Sequence, residues 1–232
     1  MFDIKKVVLF FLAFLVSLGA NAEQILVNKP QSENDRRYDY PHQLLQMIFD
    51  ETEDDYGRDY VAHSKLIMSR ERMLLSLIDG ELIHVVAEAP KKEWVEKLLV
   101  VRIPIRKGIQ GYRLFFINKE DQASIDNITT LNDFMRMPTG SGAGWSTAML
   151  MCEAGFEVVK GSNYEGLFDM LEKRRFLTFG RGVNEIFSEF NSQTKRHPNL
   201  AIESSLAIHF PLPTYFFVSP KYPLLVSRIE DG

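Results

Sequence analysis

The chain has 232 residues, 45% of them hydrophobic and 25% charged, with a formal net charge of −4. That is enough apolar material for one large core or two small ones, and the mild acidity excludes a nucleic-acid partner, because a phosphate backbone demands basic patches. A single cysteine, Cys152, excludes an internal disulfide framework.

The first residues are not expected to belong to the fold. Lys5 and Lys6 precede an apolar run from Val7 to Leu18, followed by Ala20, Asn21 and Ala22. A basic start, a short apolar segment and a small-x-small end predict a secretory signal peptide over 1–22. The run falls short of the roughly 20 apolar residues that a bilayer span needs; an uncleaved anchor is the alternative reading. The remainder has no other long apolar run and no cysteine at its start, so a soluble periplasmic chain without a lipid anchor is expected.

Ile25–Asn28 opens as a short buried strand. The polar segment from Lys29 to Asp39 follows it, and loops after strands in open α/β sheets often face ligands; a solvated charged loop is the plainer reading. Leu44, Leu45, Ile48 and Phe49 repeat at helical spacing over 41–54, with Pro41 suited to a first turn. Tyr60–Ala62 is a weak strand. Met73, Leu74, Leu77 and Ile78 mark a helix over 69–78, closed by Asp79 and Gly80. His84–Ala87 is a third strand. Strand, helix, strand, helix, strand predicts parallel pairing with right-handed crossovers. Trp94–Leu99 reads as a short link.

Val101–Ile117 is expected to carry the chain out of this unit. It reads as a strand ending at Pro104, a basic turn with Gly108 and Gly111, and a second strand; a hairpin within one domain is the alternative. Thr130 and Asp133 resemble a helix start. Gly140–Gly144 precedes a helix whose face carries Trp145, Ala148, Met149 and Cys152, which predicts a buried Cys152, and Gly155 closes it. Phe156–Val159 is a strand. Tyr164, Leu167, Phe168 and Leu171 lie at i, i+3, i+4 and i+7, so 164–173 is an amphipathic helix. Phe176–Phe179 is the next strand, and Gly180-Arg181-Gly182 turns into a helix reaching about Ser192. Phe210–Val218, stiffened by Pro211 and Pro213, reads as a return crossing. Val226–Gly232 resembles a helix that stops short.

No Gly-x-Ser-x-Gly, His-Glu-x-x-His or phosphate-loop pattern occurs, and the histidines are scattered, so no metal site and no cofactor are expected. Glu185 and Glu189 share a helix face, which is a solvated face or a carboxylate pair. Two glycine-flanked turns suit binding. Ser141, Gly142 and their neighbours would offer free N–H groups to an anion or carbonyl at a helix start. Arg181 would offer a bidentate fork to a carboxylate, and Trp145 a stacking wall. The plainer readings are tight turns and a core tryptophan.

Four segments, Pro104–Arg113, the glycines before Trp145, Asn163–Leu171 and Phe179–Ile186, resemble the bacterial extracellular solute-binding proteins of family 3, the type II periplasmic-binding group. The resemblance spans about residues 24–230. It implies an α/β fold of two lobes with two crossing strands as hinge, 23–108 plus 212–232 forming lobe 1 and 109–211 lobe 2, and a small-molecule ligand closed between them. It implies no catalytic residue, a monomer, and an inner-membrane transporter permease (ABC type) or a sensor as partner. Amino-acid-binding members place an ammonium-binding aspartate after the strand matching Phe176–Phe179. Here Arg181 stands there, with Asn184 and Glu185 beyond, which favours an anionic or carboxylate-bearing solute. The arginine that grips an α-carboxylate from the first lobe has no evident counterpart, and Arg102, Arg106 or Arg113 are substitutes. Lobe 1 would add Arg36 or Tyr38. An enzyme on the same scaffold, dehydratase-like with Glu185 as acid or base, and a sensing module are the alternatives.

Overall fold

The computed structural model describes residues 23–33 and 35–232. The expected signal peptide at 1–22 lies outside the described residues. Among those residues no helix is long and apolar enough to cross a membrane.

The first unit runs β1 (Glu23–Val27), α1 (Asp39–Glu51), β2 (Asp59–His63), α2 (Arg70–Asp79), β3 (Val85–Glu88), α3 (Lys92–Lys97) and β4 (Leu99–Val101). The second unit runs β5 (Tyr112–Asn118), α4 (Leu131–Met135), β6 (Thr139–Gly142), α5 (Ser146–Glu153), β7 (Val158–Gly161), α6 (Tyr164–Glu172), β8 (Thr178–Gly182), α7 (Ile186–Gln193), β9 (Leu200–Ile202) and β10 (Ile208–His209). The chain then returns through β11 (Tyr215–Val218) and ends in α8 (Leu224–Asp231).

Two separate sheets result. The first has five strands in the order β2-β1-β3-β11-β4. β1 pairs in parallel with β2 and β3, as expected for the strand–helix–strand units, and β11 enters antiparallel between β3 and β4. The second runs β10-β5-β8-β6-β7, with β9 on the far part of β5. The segment around Gly108 is therefore a crossing between sheets, not a hairpin within one. The two crossings run side by side: Ile105 N–H donates to the Thr214 carbonyl at 3.1 Å, and Phe210 N–H to that of Gly111 at 3.0 Å.

Local chemistry accounts for the helices that were legible. Ser69 caps α2 by accepting from the Arg72 N–H, and Gly80 ends it at φ 72°, a conformation costly for residues with a Cβ. Asn163 caps α6 by accepting from the Gly166 N–H at 2.7 Å. The predicted stripe Tyr164, Leu167, Phe168 and Leu171 is fully buried against Phe116 and Phe179, worth roughly 1.5–3 kcal/mol per large apolar side chain. Phe115, Phe116 and Ile117 are all buried, so β5 is covered on both faces.

Several expectations need correction. Gly140–Gly142 and Gly180–Gly182 are not turns opening helices; they are strand residues in β6 and β8. At Gly140, Gly142 and Gly180 glycine stands because rings lie on the strands. A Cβ on Gly140 would run into the Phe176 ring, and one on Gly142 into the Trp145 indole. The helices start later, at Ser146 and Ile186. Cys152 is exposed rather than buried, because α5 turns Ser146, Thr147, Ala148 and Met151 inward. Trp94–Leu99 is not a bare link: it forms the end of α3 and the start of β4, with Trp94 in the core.

Candidate functional site

The C-terminal ends of β3, β6 and β8 point toward a cavity of about 140 Å³ between the two sheets. Strand ends of this kind are the usual ligand position in open α/β sheets. The crossings close one side of it, through Arg106, Gln110, Leu212 and Thr214.

Five arginines line the cavity, Arg37, Arg70, Arg106, Arg113 and Arg181, against two glutamates, Glu88 and Glu185. Three of the five are neutralised locally. Arg181 forms a fork-to-fork pair with Glu189, Nε to Oε2 at 2.7 Å and Nη2 to Oε1 at 2.6 Å, and its Nη2 also meets Glu185 at 3.0 Å. Burial disfavours its charge, but the two glutamates outweigh that and hold Arg181 more firmly protonated than a free arginine. Arg37 forms a second such pair with the buried Asp35, at 2.6 and 2.7 Å. Arg70 pairs with Glu88 and donates to the Ser146 hydroxyl at 3.0 Å across the cavity, while its buried Nε has no partner.

Arg106 and Arg113 differ from these. Neither has a carboxylate within ion-pair distance among the described residues. Arg113 is 2% exposed and donates only to carbonyls, those of Gln110 at 3.2 Å and Gly180 at 2.9 Å. Burial pulls Arg113 down to about 10 and lowers Arg106 as well. A guanidinium has five N–H donors, so Arg113 is a desolvated cation whose donors are only partly used.

Glu185 sits opposite them. Burial raises its pKa, but Arg181, then Arg113 and Arg106, overcome that and bring it down to about 2. Its carboxylate accepts from Gln110 at 3.1 Å. It is therefore fully ionised at neutral pH.

Aromatic faces form the remaining wall. The Trp145 ring centroid lies 5.3 Å from the Arg37 guanidinium carbon and 4.9 Å from that of Arg181. Tyr164 lies 4.7 Å from Arg37 and 5.7 Å from Arg181. Such contacts contribute about 0.5–2 kcal/mol each, the larger values where water is excluded.

Of the sequence-predicted residues, Arg181, Trp145, Gly142 and Tyr38 line this cavity. Tyr38 donates its hydroxyl to Glu88 at 3.1 Å. Ser141 does not line it; it is a buried residue of β6 whose hydroxyl lies 3.3 Å from that of Thr147, which does line it. Arg36 is corrected: it is exposed and holds Asp39 at 3.1 Å, away from the cavity. The next residue, Arg37, takes the inward place. Sequence reading missed Arg37, Arg70 and Gln110. The signal for Arg70 was its position at the first turn of a helix beginning where a loop meets the sheet end. Among the described residues no cluster of His, Cys, Asp or Glu suits a metal ion.

The fold is that of the two-lobed type II periplasmic-binding proteins. Solved structures share it at low sequence identity. An ancestral arginine-binding protein bound to glutamine superposes with a TM-score of 0.64 at 14% identity, covering 90% of this chain and 89% of that one. The structure described for glutathione import in Streptococcus mutans, via GshT and the cystine ABC importer TcyBC, gives 0.62 at 11% identity, covering 91% and 87%. An ancestral amino-acid-binding protein, a precursor of cyclohexadienyl dehydratase, gives 0.59 at 12% identity, covering 95% and 91%. No protein-family profile and no curated protein matches the sequence.

Proposed function

We propose that the protein is a periplasmic solute-binding protein that captures a small polar, carboxylate-bearing solute and delivers it to an ABC-type transporter of the inner membrane. Residues 23–108 with 212–232 form one lobe and 109–211 the other. The lobes close on the solute by bending at the paired crossings. Residues 1–22 direct secretion, and the protein works as a monomer.

The observation that carries this reading is the pair Arg106 and Arg113, two cavity-lining cations with no carboxylate at ion-pair distance among the described residues, which share the field of Glu185 with Arg181. A solute carboxylate would add a second counter-charge beside Glu185 and accept their spare donors, and charge-assisted bonds of this kind are roughly twice as strong as neutral ones. Trp145 and Tyr38 form the side walls. Gly142 lets the indole lie close to β6. Arg181 orients Glu185 and Trp145 while its own charge is met by Glu189, and Ser141 holds the hydroxyl of the cavity-lining Thr147. The neighbours described above bind amino acids or serve import, which fits a receptor.

An enzyme of the dehydratase kind would use a carboxyl able to hold and release a proton near neutral pH. Glu185 is held ionised instead, which favours binding over catalysis.

A thermal-shift panel of small mono- and dicarboxylates tests the proposal. A solute at about 100-fold over its Kd adds about 2.7 kcal/mol, or about 5–10 °C for a chain of this size. Arg113→Met should abolish that shift. A panel without any shift, or a shift that survives the substitution, contradicts the reading.

A further inference from the structure

Arg37 belongs to the first lobe by its backbone and to the second by its contacts. It lies between β1 and α1, and its carbonyl accepts from Arg106 Nη2 at 2.8 Å. Its guanidinium reaches the Trp145 and Tyr164 rings of the second unit and also lies 5.5 Å from Tyr38. On the other side Asp35, only 2% exposed, grips it through Nε and Nη2.

These groups together make a built cation site. Aromatic faces and a buried carboxylate fork are the two components that recognise a guanidinium. The cation they hold comes from the chain itself. A short tether keeps that group at an effective concentration of roughly millimolar or more, so a free cation of the same shape would have to compete with it.

We infer that Arg37 is a tethered occupant that sets the ligand class: it fills the end of the cleft suited to a guanidinium or ammonium group and leaves free solutes only the end lined by Arg106 and Arg113. Cationic amino acids are thereby excluded and small acids admitted. This deepens the solute-binding reading and rests on it, although the occupancy itself is measurable without a solute.

The test is chemical rescue. Arg37→Ala leaves Asp35 buried without its guanidinium partner and removes one of the two cations over the Trp145 and Tyr164 rings, Arg181 remaining, so its melting temperature should fall. Methylguanidinium at about 10 mM should restore about 2–4 °C, and methylammonium, lacking the planar fork, should restore much less. The wild type should respond neither to methylguanidinium nor to L-arginine. A wild type stabilised by either, or a folded variant that methylguanidinium fails to raise, overturns the inference.

Should Arg37→Ala not fold, the double variant Asp35→Asn, Arg37→Gln buries no unpaired charge. Its tryptophan fluorescence should become more accessible to acrylamide, because Trp94 stays in the core and only Trp145 loses a covering group. Unchanged quenching also overturns the inference. If methylguanidinium rescues the variant and no acid binds the wild type, the occupancy stands and the receptor reading falls. If a cationic amino acid binds the wild type, the receptor reading stands and the role of Arg37 falls.

Discussion

Two arginines, Arg228 and Arg113, are equally buried at 2% exposure, yet they sit in opposite surroundings. Arg228, on α8, fastens the end of the chain beneath α1. It donates to the Thr52 hydroxyl at 2.9 Å, to Asp59 at 2.6 Å, and to the carbonyls of Phe49 and Gly57 at 2.9 and 2.7 Å. Arg113, at the cavity, donates to two carbonyls and meets no carboxylate among the described residues. A guanidinium with four of its five donors bonded holds structure together. Under the proposed function, the partly used one beside free space is the group that meets the solute.

That contrast can be broken by substitution. Arg228→Met should cost about 3–5 kcal/mol, because Asp59 loses its cation and the carbonyls of Phe49 and Gly57 lose a donor, read as a fall in the urea midpoint. Arg113→Met should cost only about 1–2 kcal/mol, the penalty for two carbonyls losing a donor, while removing solute binding. Equal stability losses would erase the distinction.

Between these in size lies an acid transition. His42 is stacked on Tyr38 and lies 3.0 Å from His63. Burial, and then His63, push His42 down to about 4. The unfolded chain, near 6.5 at this group, therefore binds a proton that the folded chain refuses. Stability is present above about 6.5 and is lost as pH falls toward about 4, by about 3 kcal/mol at most. His42→Gln should flatten that limb in urea titrations at pH 7 and pH 4.5. The acid limb of Glu185 lies lower. Its depressed pKa stabilises the fold above about 4.3, and that contribution disappears as pH drops toward about 2.

The smallest effects belong to the surface. Cys152→Ser should change stability by about 0.5 kcal/mol or less, as an exposed position does. Arg36→Ala should cost about 0–1 kcal/mol and leave solute binding intact, since its pair with Asp39 is exposed to solvent. A large loss of binding on Arg36→Ala would restore the residue to the site.

Much of the scaffold was legible because its signals are local. The spacing of Tyr164, Leu167, Phe168 and Leu171 fixed the inner face of α6, and Gly80 marked the end of α2. The two crossings were visible as proline- and glycine-marked interruptions at Pro104–Gly111 and Pro211–Pro213. The site was less legible because its decisive facts are non-local. Arg36 and Arg37 are neighbours in a loop with no periodicity to set which one points inward. Arg181 looks like a free charge in the sequence because its partner Glu189 lies eight residues on, across a strand-to-helix change. The glycines of β6 and β8 look like turns in the sequence, since nothing local announces the rings of Phe176, Trp145 and Phe115 that lie over Gly140, Gly142 and Gly180.

A crystal structure with a bound carboxylate solute from the panel tests the central claim most directly. The account predicts the carboxylate within hydrogen-bond distance of Arg106 and Arg113, between the two sheets, with Arg37 still gripped by Asp35. A solute placing an ammonium group there, or one bound outside the cavity, would contradict it.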